Sequence, residues 1–307
     1  MKRFIPTIVL LVVLIGAFWY ASSQSFFKKE EEEPVSKPLV TMKQEDIAGF
    51  KLKEEGLEFE KKDGKWTMVK PAAMPVETST VESWLGSFTA LKHDGEVEAN
   101  PSDLSVFGLS SPTKEFEVTL NDGTVKTVQI GSPLPIAGHF YTKLKDSPAI
   151  YKLADQQITT LQKDLMSFMN KSPFKLNYLD VVGVELQWKG AKKSVVKTDK
   201  TKSFNESAWT LDGKEVKAGD VEPAIDKLLF AVTDQLVRPA SELKLDTAEL
   251  KLEIKFSKEG KESSDVYAGK LDNGLVWIVK QGDSWAYALA ETDVQVIFDA
   301  YKKTEAK

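Results

Sequence analysis

Tyr151–Leu161 reads YKLADQQITTL, and Tyr287–Ile297 reads YALAETDVQVI. Both place an aromatic residue, an apolar residue, an alanine and an acidic residue in one order, followed by apolar residues at helical spacing. The match continues upstream. At the same offset EFEVTL (115–120) falls on KLEIKF (251–256). Trp66-Thr67 falls on Trp209-Thr210, and Val81, Leu85, Phe88 and Val97 fall on Val221, Ile225, Leu228 and Val237. At the front, DIAGFKL (46–52) falls on DVVGVEL (180–186). The order is collinear, and the offset changes only in loop-like places. The chain is therefore expected to hold two copies of one unit, residues 46–170 and 180–307, joined by a linker at 171–179.

Each copy has the same rhythm. LEFEKKDGKWTMV alternates about Lys-Asp-Gly-Lys, as a β-hairpin does. In STVESWLGSFTAL, residues Val81, Trp84, Leu85, Phe88 and Leu91 share one helical face, with Ser79 and Glu82 at capping-box spacing. EFEVTL, an Asn-Asp-Gly turn and VKTVQI make a second hairpin, and HFYTKL and AIYKL add two strands. A closing helix opens at Asp155 and turns Ile158, Leu161, Leu165 and Phe168 inward; its counterpart has Thr292 and Gln295 at capping-box spacing. Strands joined by short turns, with few helices, predict an α+β fold: two similar lobes of antiparallel sheet with packed helices. No Gly-rich turn joins a strand to a helix, which argues against a parallel nucleotide-binding sheet.

The 307 residues carry 41 basic and 46 acidic side chains in a mixed distribution, so nothing electrostatic favours nucleic acid. Cysteine is absent, which excludes disulfides, thiol catalysis and cysteine-ligated metals. Phe4–Ala21 reads FIPTIVLLVVLIGAFWYA, eighteen residues without a charge. As a helix it spans roughly 27 Å, close to the thickness of a bilayer core. Lys2 and Arg3 precede it, and Glu30–Glu33 follow Lys28 and Lys29. Residues 1–23 are thus expected to start in the cytoplasm and cross the cell membrane once through 4–21, leaving the body extracytoplasmic. A cleaved signal peptide, with Ala21-Ser22-Ser23 as its site, is the alternative. Residues 24–45 are charged and proline-bearing, and read as a tether.

Chemistry is sparse in the sequence. His93 and His139 are the two histidines, and neither has a second ligand at metal spacing. No nucleophile elbow, phosphate-binding loop or His-Glu-x-x-His occurs, so no catalytic, metal or cofactor residue is assigned and no enzyme activity is expected. Trp66, Trp84 and Trp209 fall on core-facing positions. The candidate recognition loop is GSPLPIAGH (131–139), with Ser132, Pro133, Leu134, Pro135, His139 and the following Tyr141; a rigid turn is its plainer reading.

NPSDLSVFGLSSP (100–112), IGSPLP (130–135), HFYTKL and AIYKLA carry a resemblance. Phe107-Gly108-Leu109 with Pro112, then Ile130-Gly131, Tyr141 and Tyr151, is similar to the bacterial domain-of-unknown-function family numbered 4340. That resemblance implies an N-terminal membrane anchor and one or two β-rich modules. It supplies no catalytic residues. Some relatives resemble accessory components of ABC-type and gliding-motility transport systems, which implies a membrane-protein partner. The second copy lacks the Phe-Gly pair before Leu245 and shortens the Ser132–Gly138 loop. Three function classes follow: a membrane-anchored binding or scaffold protein; an envelope sensor or glycan/peptide binder using a groove between the lobes; and an envelope hydrolase, for which no residue set is found.

Overall fold

The computed structural model describes residues 13–20 and 36–301. Residues 13–20 are helical and exposed; the rest of the apolar segment 4–21 and the tether as far as residue 35 lie outside the described residues. Among the described residues, no helix is long and apolar enough to cross a membrane.

Two short strands, β1 (Lys37–Pro38) and β5 (Lys92–His93), pair with each other. The first large sheet takes β2 (Ile47–Leu52), β3 (Leu57–Lys62), β4 (Lys65–Lys70), β6 (Glu96–Glu98), β7 (Lys114–Leu120), β8 (Val125–Pro133), β9 (His139–Leu144) and β10 (Ile150–Ala154). Its spatial order is β4-β3-β2-β7-β8-β9-β10-β6. The second takes β11 (Val181–Trp188), β12 (Ala191–Lys197), β13 (Trp209–Leu211), β14 (Lys214–Val216), β15 (Arg238–Pro239), β16 (Leu250–Lys258), β17 (Lys261–Asp272), β18 (Leu275–Lys280) and β19 (Trp285–Ala290). Its order is β14-β13-β12-β11-β16-β17-β18-β19-β15. With β14 set aside, both sheets run through the same sequence of connections: a three-strand meander, a jump, a four-strand meander, and a short strand added to the far edge. The fold is α+β with large antiparallel sheets, as the hairpin spacing predicted.

Helix α1 (Thr78–Thr89) follows β4, and α2 (Asp155–Leu161) and α3 (Leu165–Phe168) follow β10. In the second half α4 (Ala218–Leu229) follows β14 and α5 (Glu291–Ala300) follows β19. Three local expectations need correction. Helix α1 starts at Thr78, and the Glu77 carboxylate accepts the Ser79 N–H at 3.4 Å and its hydroxyl at 2.9 Å, so Ser79 is not the cap. The closing helix of the first half is two helices, because Asp164 caps a new turn by accepting the Ser167 N–H at 2.8 Å. In α5 no side chain caps the N-terminus. Gln295 instead accepts the Trp188 indole N–H at 2.8 Å, which satisfies a buried donor that would otherwise be orphaned.

By contacts the described residues of the body form two compact units: 36–46 with 86–117 and 125–161, and 47–85 with 118–124 and 162–301. In the second unit, Phe50 stacks on Phe59 and on Trp84 with ring centroids 4.4 Å apart in each pair, and Phe168 packs on Phe59 at 4.7 Å. Its largest core gathers Val184, Leu186, Trp209, Leu252, Ile254 and Ile278 with Val221, Ile225 and Leu228 of α4 and Val294, Ile297 and Phe298 of α5. Strand β16 shows why: Leu250, Leu252 and Ile254 alternate with Lys251, Glu253 and Lys255, so one face is apolar and one is charged. Trp66, Trp84 and Trp209 are all buried, in agreement with their core assignment.

Candidate recognition surface

The recognition loop starts from a joint between β8 and the 3-10 turn Ser105–Phe107. Gly108 closes that turn in the left-handed region, at φ 68°. A Cβ at Gly108 would stand 2.3 Å from Ser132 Oγ, so the two segments touch main chain to side chain. The Thr113 N–H and hydroxyl both donate to the Ile130 carbonyl, at 2.9 and 3.1 Å. The Phe107 ring meets Tyr141 edge-on at 5.0 Å. The motif residues Phe107, Gly108, Leu109, Gly131 and Tyr141 therefore form one packing joint.

Beyond the joint, the register of β8 on β9 shifts between Ile130 and Pro133, and Pro133 lies opposite Phe140. The Leu134 N–H donates to the His139 carbonyl at 2.8 Å, which closes the loop. Pro133, Pro135, Ile136, Ala137 and Gly138 are exposed, while Ser132, Leu134, His139 and Tyr141 are half-buried. The six predicted residues thus divide. Ser132 and Tyr141 are packing partners, Pro133, Leu134 and Pro135 shape the turn, and His139 enters a polar cluster.

That cluster centres on Asp94. Its Oδ2 lies 3.1 Å from His139 Nε2, and its Oδ1 accepts the Ser36 hydroxyl at 2.6 Å. A serine, a histidine and an aspartate are present, but their order is wrong for nucleophile activation. The serine donates to the carboxylate rather than to the imidazole, so the histidine is not placed to take its proton. Next to Asp94, the His93 ring packs on Tyr151 at 4.3 Å, and its Nδ1 accepts the Gly95 N–H at 3.2 Å. Burial, aided by the positive charge of Lys37, holds the His93 imidazole below its ordinary pKa. Among the described residues, no group of three or more His, Cys, Asp or Glu is placed to hold a metal ion. The arrangement orders the chain: Ser36 is fixed beside β1, and the Leu39 N–H donates to the Leu91 carbonyl at 2.8 Å.

Sequence reasoning saw Asp94 only as a neighbour of His93 and did not use Ser36. Their partners lie 45 and 58 residues away, a separation that periodicity does not report. It also missed a concavity of about 350 Å³ on the charged face of the second sheet, where Gln187 sits between Lys192 and Lys251 in register and Glu185, Glu253 and Val266 complete the wall.

The fold and these sites define a class: a two-lobed α+β protein of antiparallel sheets whose motif residues serve packing. The chain belongs to the family described as domain of unknown function (DUF4340), whose model matches residues 66–234. No curated protein and no solved structure matches it.

Proposed function

We propose that the protein is a single-pass membrane-anchored, extracytoplasmic binding or scaffold protein serving a membrane-protein partner, as an accessory of an ABC-type transport system. The observation that carries this reading is the charge-free segment 4–21, followed by the charged stretch 24–45. The transporter partner rests on the family resemblance. Two features agree with a scaffold. Within the stretch 24–45 read as a tether, residues 36–39 are fastened to the body through Ser36, β1 and Leu39. The motif residues pack against one another as a joint. A tethered body gains effective concentration near membrane partners, so modest contacts suffice. We also infer that the chain arose by tandem duplication, because the paired sequence segments fall on strands with the same connections.

Protease added to intact cells with a permeabilised outer envelope tests the orientation; a body digested only after lysis overturns it. Purification of the full chain in mild detergent tests the scaffold role; recovery without a stoichiometric membrane partner overturns that. A ligand-binding reading is favoured by one observation, the 350 Å³ concavity with Lys192 and Lys251 at its rim. Saturable binding of an acidic glycan or peptide that Lys251→Glu abolishes would move the assignment there.

A further inference from the structure

Lys143 puts an ammonium group where the fold accepts a hydrocarbon. It lies in β9 and is 7% exposed. The repeat offset that sets Tyr151 on Tyr287 also sets β9 (His139–Leu144) on β18 (Leu275–Lys280), and so Lys143 on Val279. The register agrees, because Thr142 pairs with Tyr151 as Ile278 pairs with Tyr287. Val279 is 5% exposed. Both are strand positions of one register and are buried alike. One carries lysine and the other valine, so the fold does not demand a charge there.

A buried ammonium needs acceptors, because burial removes the water that would supply them. The group has three N–H donors. One of them meets the Leu144 carbonyl at 3.0 Å, and among the described residues no carboxylate pairs with it. Burial pushes the Lys143 pKa below the ordinary lysine value, against opposition from the charge of Asp146. Asp146 is itself engaged, in an ion pair with Lys126.

The Lys143 side chain lines a cavity of about 340 Å³ together with Lys145 and Asp146, and Pro101, Leu104 and Pro148 wall it. Pro101 and Leu104 belong to the stretch 100–112 that carries the family resemblance. Lys145 is exposed and, among the described residues, has no ion-pair partner. Its main chain is fixed, because its N–H donates to the Thr127 carbonyl at 2.9 Å. With Asp146 answered by Lys126, two cations line the cavity without a carboxylate of their own.

We propose that this cavity binds a phosphate monoester, held by the ammonium groups of Lys143 and Lys145. Charge selects the class. A phosphate monoester carries about −1.5 to −2 at pH 7, which answers two uncompensated cations. A carboxylate or a phosphodiester carries one charge and leaves a cation unanswered. Lysine meets phosphate as a point charge and needs no planar fork, unlike arginine. Pro101, Leu104 and Pro148 supply apolar wall for the carbon body of the ester. The site is independent of the membrane-partner reading above.

Isothermal titration of the full chain in detergent and phosphate-free buffer tests the site. Glycerol 3-phosphate and dioctanoyl phosphatidic acid carry the same group on a soluble and on a lipid body. Saturable one-to-one binding of at least one is expected, and the tighter of the two tells the source. Acetate is expected to bind at least roughly tenfold more weakly. Lys143→Met is expected to weaken ester binding by roughly tenfold or more, and Lys145→Met to weaken it as well. The second half holds valine at the place of Lys143, so Lys143→Met is expected to fold and, without ligand, to unfold at no lower temperature than the wild type. No saturable binding of either ester below roughly 10 mM overturns the proposal, as does binding indifferent to Lys143→Met. Acetate bound as tightly as the esters overturns the assignment to phosphate.

Discussion

Gly131 lies against Phe107 so closely that a Cβ built on the glycine would stand 2.2 Å from the Phe107 carbonyl oxygen and 2.9 Å from Leu109 Cγ. The obstacle is main chain, which cannot rotate away as a side chain does. Gly131→Ala is therefore expected to push the Ser105–Phe107 turn off β8 and to cost about 3 kcal/mol, at the upper end for overpacking. Chemical denaturation of the two proteins measures it, and a loss below about 0.5 kcal/mol would show that the joint is soft. Gly108→Ala combines a left-handed conformation with a clash of its own, 2.7 Å from the Ser132 main-chain nitrogen, and is expected to cost at least as much.

Trp188 and Gln295 make a second relationship that can be tested by contrast. Gln295→Leu leaves the buried Trp188 N–H without its acceptor, which is expected to cost about 1–3 kcal/mol. Thr292→Ala is expected to change stability by less than about 0.5 kcal/mol, because no side chain caps α5. The opposite ranking in thermal or urea unfolding would restore the capping box that residue spacing suggests.

What was legible in the chain was local. Asp63-Gly64, between alternating runs, forms a turn with both residues at positive φ. The apolar stripes of α1, α4 and α5 were legible because a 3.6-residue period is a property of one segment. Gln295 was misread because its partner is 107 residues away. The break between α2 and α3 was missed because Asp164 sits within an intact apolar period, and a cap competes with that period without leaving a mark in it. The candidate loop was legible as a segment, but the role of Ser132 depends on a glycine 24 residues earlier, and that of His139 on an aspartate 45 residues earlier.

Burial first and the Lys37 charge second hold the His93 imidazole below its ordinary pKa, against weaker opposition from the Asp94 and Glu96 carboxylates. Its folded pKa lies below the unfolded value near 6.5, so the unfolded chain binds the proton more readily. Stability is therefore expected to rise with pH through this window, and the His93 contribution to be lost as pH falls below about 6.5. Lys37→Met removes one cause and is expected to move the His93 titration upward, toward its ordinary value, as followed by the ring proton shifts. A downward movement would show that burial on β1 outweighs the charge.

Asp94 decides whether residues 36–39, in the second half of the stretch read as a tether, stay fixed. Its carboxylate holds Ser36 and His139 together, yet the cluster is partly exposed and each bond is modest. Asp94→Ala is therefore expected to cost only about 1 kcal/mol locally and to leave the Phe50–Phe59–Trp84 stack intact. The loosened element is the β1–β5 pair, so the Leu39 N–H, which donates to Leu91, is expected to exchange with solvent roughly fivefold faster. Asp94→Asn keeps an acceptor for Ser36 and is expected to fall between the two. If exchange at Leu39 is unchanged in Asp94→Ala, burial of Leu39 and Val40 alone holds the segment down, and the Ser36–Asp94–His139 cluster is then an ornament of the surface rather than the clasp at the end of the tether.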